Sequence, residues 1–259
     1  MEITKVKGII ISEKPYKESS KLLNMITEDY GVISVIAKGS KRLKSNLRSI
    51  TSKLTYAEFQ INYKEGKLST LICADIINPL FNIKKDLLKI SYASYLLDLT
   101  SQVLKENNNK NIYNILVSSL LKIEDDFDPE VITNILELKY LSYLGISPNF
   151  DTCSICGKSK ILTISVEKGG FICTDHHTNE RIVSNKTLQI IRMLYYADID
   201  KITKLEVSEP VKKEIYEFID EYYESYTGLF MKTKEFLKNI KYKYIWIKVL
   251  KTFYFFDKK

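Results

Sequence analysis

The sequence predicts an α+β protein. A small five-stranded barrel comes first, followed by an all-α domain into which a cysteine- and histidine-rich finger is set. Three observations carry that prediction. Residues 1–80 alternate short β-branched and aromatic runs with turn signals, and residues 81–238 repeat apolar side chains at spacings of three and four. A paired knuckle pattern of cysteines and a histidine then interrupts the helical section at about 150–180.

The strands are expected at Val6–Ser12, Leu22–Glu28, Val32–Ala37, Leu54–Tyr63 and Leu68–Ile76, with turns at Tyr30-Gly31 and Glu65-Gly66-Lys67. Five short strands in so little chain favour closure, because a closed sheet has no exposed edge to protect. Pro79 ends the unit. Ile83, Leu87, Leu88, Tyr92, Tyr95, Leu96, Leu99, Val103 and Leu104 then form one helical stripe, broken by Glu106-Asn107-Asn108-Asn109-Lys110. A second helix is expected from about Ile112 to Ile123. The third is well punctuated, with Asp128 as N-cap, Pro129 in the first turn, Glu130 on the helix dipole and Gly145 beyond the end. Leu188 to Tyr195 and Val211 to Tyr226 read as two more helices, the latter opened by Ser208-Glu209-Pro210. Residues 239–259 form a basic aromatic tail in which Tyr242, Tyr244 and Trp246 interleave with Lys241, Lys243 and Lys248. Such a tail suits packing or docking, stacking on bases, or lying on a membrane surface.

The finger is the most specific signal. Cys153-x2-Cys156 is followed, after a spacer from Gly157 to Ile172, by Cys173-x2-His176 and then His177. One short knuckle gives a tetrahedral zinc ion two thiolates, and a second knuckle supplies the other pair. The expected ligands are Cys153, Cys156, Cys173 and His176, with His177 as an alternative fourth. Gly169-Gly170 before the second knuckle supplies the permissive backbone that a tight return needs. Four protein ligands leave no open position for water, so the zinc is expected to be structural.

Composition narrows the function. The hydrophobic content is 45 % and the charged content 27 %, ordinary for a globular chain. No apolar run reaches the roughly 18 residues that suggest a spanning helix, and few cysteines in metal spacing fit a reducing cytoplasm. The net charge of +7 is concentrated at the two ends of the chain. Between the third and fourth strands, residues 38–53 hold six cations and no acid. Lys38, Lys41, Arg42, Lys44 and Arg48 are the expected phosphate contacts, with Gly39, Ser40, Ser45 and Asn46 small enough to let backbone amides approach. Lysine dominates over arginine, which favours backbone contact over base reading. No P-loop, dinucleotide glycine turn or nucleophile elbow is present, so a non-enzyme is expected.

The chain resembles the bacterial recombination mediator RecO family in three pieces. The first runs Lys7-Gly-Ile-Ile-Ile-Ser-Glu…Tyr16-Lys-Glu18, then Leu22-Leu23…Thr27-Glu-Asp-Tyr-Gly31, then Ala37-Lys38-Gly39-Ser-Lys-Arg42…Lys44-Ser45. The second is the Cys153/Cys156…Gly169-Gly170…Cys173 module within helices, and the third Met231-Lys232-Thr233-Lys234-Glu-Phe-Leu237. The resemblance implies an OB-type barrel over 1–80, a helical domain over 81–238 and an embedded zinc finger. It also implies binding and annealing of single-stranded DNA, and cooperation with RecR to load RecA onto DNA covered by single-strand binding protein, in a cytoplasmic, nucleoid-associated setting. His176 stands where the family's fourth ligand is usually Cys, and Lys234 where Arg is expected. Two other readings remain: a zinc-stapled scaffold that docks proteins, and a zinc hydrolase or deaminase, which lacks the motif geometry.

Overall fold

A computed structural model describes residues 2–241; the aromatic tail from 242 on lies outside the described residues. The chain forms two compact units, Ser118–Phe230 and the flanking remainder, with the first of the two boundaries falling inside a helix.

The first unit is built on a closed barrel of β1 (Glu2–Tyr16), β2 (Ser20–Thr27), β3 (Gly31–Ala37), β4 (Tyr56–Tyr63) and β5 (Ser69–Asn78), in the order β1-β2-β3-β5-β4. β1 is much longer than its expected span. Its first half pairs with β4, Glu2 opposite Tyr63, and its second half with β2, Tyr16 opposite Ser20. Gly8 and Ile9 pair on both sides, and a bulge at Ile10/Ser12 bends the strand from one partner to the other. That bulge breaks the alternation that marks a strand in sequence, which is why only the middle of β1 is legible. Gly8 is needed at the switch, since a Cβ there would stand 2.8 Å from the Ile26 carbonyl oxygen. β3 closes the barrel against β5 through a short parallel contact at Val35–Ile36. Val6, Ile10, Leu23, Met25, Val35, Phe59, Ile61 and Leu71 fill the interior. β4 starts at Tyr56, two residues later than the expected Leu54. Leu54 instead adopts a φ of 62° while its N–H bonds the Ile10 carbonyl at 2.9 Å.

The expected stripe from Ile83 to Leu104 is two helices, α1 (Phe81–Lys85) and α2 (Leu87–Glu106). Asp86 separates them because its carboxylate accepts from the N–H groups of Leu88 at 2.7 Å and Lys89 at 2.9 Å, opening a new helix. Apolar periodicity does not register a one-residue break. α2 buries Tyr92, Tyr95, Leu96, Leu99 and Val103. A helical run at 232–241 belongs to the same unit, burying Met231 and Leu237 and donating from Thr233 Oγ1 to Asp98 at 2.7 Å.

α3 (Lys110–Glu124) leads into the second unit, which holds α4 (Pro129–Tyr143), the short strands β6 (Thr163–Ser165) and β7 (Gly170–Ile172), α5 (Asn185–Tyr196) and α6 (Glu209–Tyr226). Asp128 caps α4, accepting from the Glu130 and Val131 amides. Phe150 is 1 % exposed and packs edge-on against Phe171, Tyr195 and Phe218. The finger is thereby seated on α5 and α6.

Candidate metal centre and nucleic-acid interface

The first knuckle forms because Gly157, at a φ of 73°, turns the chain so that its N–H bonds the Cys153 carbonyl at 2.9 Å. Ser154 is tied to β7 through the Phe171 carbonyl, 2.8 Å from its N–H and 3.1 Å from its hydroxyl. The second knuckle follows β7 directly. Cys173 precedes a single 3-10 turn, Thr174–His176, closed by the His176 N–H on the Cys173 carbonyl at 3.2 Å. Gly170 lets the hairpin close, for its φ is 136° and a Cβ would meet the Asn149 carbonyl oxygen at 2.3 Å.

The ligand atoms of Cys153, Cys156, Cys173 and His176 all lie within 4.8 Å of one another. Cys156 Sγ and Cys173 Sγ are 3.7 Å apart, and His176 Nδ1 is 3.3 Å from Cys173 Sγ and 3.7 Å from Cys153 Sγ. Tetrahedral zinc with ordinary bond lengths sets sulfur–sulfur edges at about 3.8 Å and sulfur–nitrogen edges at about 3.6 Å. The cluster fits a tetrahedral ion, and 3.7 Å is far too long for a disulfide. Burial opposes ionisation of the Cys153 thiol, but backbone amides of Cys156, Ile155 and Cys173 bring it down to about 6, toward the thiolate a metal needs. His177 is turned elsewhere, its Nε2 donating to the Glu180 carbonyl at 2.9 Å. Of the two candidate histidines, the structure brings His176 to the cluster.

The five cationic residues of the predicted interface are all exposed. They ride on a loop that is folded, since the N–H groups of Arg42, Ser45 and Arg48 bond the carbonyls three residues back. Ser40 and Thr51 are fully buried and bond the carbonyls of Ala37 and Leu47. The sixth cation of the stretch, Lys53, turns inward, its ammonium donating to Ser94 Oγ at 3.0 Å, and burial lowers its pKa against the pull of Asp98. Leu43, 85 % exposed, stands among the outward cations.

Sequence reasoning missed one part of this surface. The Lys41 N–H bonds the Ser19 carbonyl at 2.9 Å and the Gly39 N–H approaches Ser20 Oγ at 3.3 Å, so the β1–β2 hairpin tip with exposed Lys14 and Lys17 borders the basic loop. Of the two acids beside them, Glu13 is taken by Lys21 and by the Lys53 N–H, whereas Glu18 is exposed at the tip. The segments are some twenty residues apart, and no local pattern joins them. Lys234, in the third resembling piece, lies over the Tyr95 ring at 5.7 Å.

Two family models and a set of curated relatives match this chain. The Recombination protein O N terminal model matches residues 1–80, and the Recombination protein O C terminal model matches residues 84–235. The DNA repair protein RecO of Bacillus cytotoxicus is 33 % identical over 241 residues, spanning 91 % of this chain and 97 % of the relative. Those of Bacillus mycoides and Bacillus cereus are 31 % and 30 % identical over the same share of each chain. A barrel joined to a helical unit with an inserted knuckle pair, matched over residues 1–80 and 84–235 by two family models and over 91 % of the chain by relatives, makes this chain a member of the RecO family of DNA repair proteins.

Proposed function

We propose that the protein is a non-enzymatic recombination mediator that binds single-stranded DNA on its barrel and anneals complementary strands. The observation that carries this reading is the folded, acid-free loop presenting Lys38, Lys41, Arg42, Lys44 and Arg48 outward from a closed five-stranded barrel. The strand order fits an OB-type barrel, a fold whose loops commonly hold oligonucleotides. Lys14 and Lys17 extend the cationic surface. Phosphates meeting it release counterions, and two strands bound side by side repel each other less, so complementary bases can find one another. Leu43 offers an apolar contact to an unstacked base, which a duplex does not expose. No nucleotide is consumed.

Cys153, Cys156, Cys173 and His176 would hold one structural zinc, which when bound cross-links the two knuckles and supplies no reactive position. Family membership supports RecR, single-strand binding protein and, through RecR, RecA as partners, and a cytoplasmic, nucleoid-associated setting. Among the described residues no helix is long and apolar enough to cross a membrane.

Fluorescence anisotropy of labelled single-stranded DNA at several salt concentrations tests the reading. Lys41→Glu with Arg42→Glu is expected to weaken binding about tenfold or more and to flatten the salt slope by about two to four charges. Unchanged affinity and slope would remove the loop from the interface. Annealing that proceeds with no partner protein present separates a direct role on DNA from a scaffold that only docks proteins.

A further inference from the structure

The turn between β6 and β7 does more than reverse the chain. It is pinned from one side by α6, whose Tyr226 hydroxyl donates to the carbonyls of Val166 at 3.0 Å and Glu167 at 3.2 Å. From another side the Asn149 N–H bonds the Gly169 carbonyl at 2.9 Å. From this fixed turn Lys168 reaches to the second knuckle. Its ammonium donates to the His176 carbonyl at 2.8 Å, to Thr178 Oγ1 at 2.9 Å and to the Glu180 carboxylate. An ammonium has three protons, and all three are used.

We propose that Lys168 is a positioning residue of the metal centre: bonded at once to the carbonyl of the ligand His176, to Thr178 and to Glu180, it holds the histidine knuckle in its ligating conformation. The inference rests on the metal reading of the cluster. The Lys168 and Glu180 side chains are only 18 % and 12 % exposed, so this pair is shielded from water. Burial would raise the Glu180 carboxyl, but Lys168 and the Thr178 amide hold it down at about 2. The chain from 176 to 180 is therefore wrapped around one cation. A histidine knuckle needs such help, because a 3-10 turn of three residues has little internal structure to fix the imidazole. A different ion pair of the finger, Lys158 beside the first knuckle with Asp175 in the second, has both partners about 60 % exposed and is worth little. It serves as the internal control.

The full-length chain is loaded with Zn2+ and challenged with a chromophoric chelator. Cobalt substitution reports the ligand set through its thiolate charge-transfer and d–d bands. Lys168→Met is expected to weaken zinc retention about 10–100-fold, the range typical for loss of a metal-orienting partner, while the cobalt spectrum keeps its tetrahedral cysteine–histidine form. Lys168→Arg should recover most of the loss, and Lys158→Met should stay within about fivefold of the parent. Should Lys168→Met not fold, Lys168→Gln, which keeps a donor without the charge, is expected to lose at least tenfold. Parent-like retention in the folded neutral variant would overturn the proposal, as would an equal loss in Lys158→Met. A parent that takes up no zinc sinks the metal reading itself, before any variant is made.

Discussion

His176 and His177 are neighbours with opposite assignments, and backbone geometry decides between them. The 3-10 turn ends at His176 and presents its Nδ1 to Cys173 and Cys153, whereas His177 is extended and hydrogen-bonds Glu180. Spacing alone allowed either, because two or three intervening residues both suit a knuckle. His176→Ala is therefore expected to lose the metal, and His177→Ala to keep it, by metal analysis after gel filtration. Cys153→Ser should lower metal content well below one equivalent and cost roughly 4 kcal/mol or more of stability, as loss of a structural metal does. A fully stable Cys153→Ser protein without metal would mean that the aromatic seat around Phe150 suffices alone. The four residues of the cluster were legible in sequence because each knuckle is local. Lys168 was not, since its acceptors come into range only when the hairpin and the histidine knuckle fold back together.

The hairpin of β6 and β7 is the element on which the finger depends. Three-residue strands give no periodicity to read, so the sequence showed only the glycine pair that ends the turn. Those glycines are not equivalent. A Cβ at Gly169 meets nothing within 4 Å, whereas one at Gly170 would collide with the backbone of Asn149, which bonds both Gly169 and Phe171. Gly169→Ala is accordingly expected to cost about 1–2 kcal/mol, the penalty of a left-handed conformation. Gly170→Ala should cost about 3 kcal/mol or more, because backbone cannot yield as a side chain can. Chemical denaturation followed by Phe and Tyr signals of the second unit distinguishes them, and equal costs would mean that the Asn149 bridge is dispensable. In the barrel, the middle of every strand was legible from its β-branched and aromatic residues. The ends of β1 and the start of α2 were not, for a bulge and an aspartate cap change the chain direction without changing the apolar pattern.

At the scale of the molecule, the exposed basic loop and the Cys3His cluster fall in different compact units. Removing metal with a strong chelator should therefore lower the melting temperature of the second unit while leaving single-strand affinity within about twofold, since independent sites couple weakly. A large loss of DNA binding on chelation would show that the finger takes part in it. Apolar periodicity made the broad arrangement readable, with a strand-rich first 80 residues followed by a helical section. How the units are composed was not readable, because the helical run at 232–241 joins the barrel unit through contacts with α2 that span more than a hundred residues.

That discontinuity bears on the order in which a nascent chain acquires its form. The second unit is contiguous and can consolidate as soon as it leaves the ribosome, during synthesis at about 5–20 residues per second. The first unit begins earlier but finishes later: α2 lacks the Thr233 hydrogen bond to Asp98 until that residue emerges and Met231 and Leu237 can be buried. The barrel unit is thus the first to start and the last to close. A polypeptide stalled before Met231 would have completed its finger while α2 was still open to proteolysis.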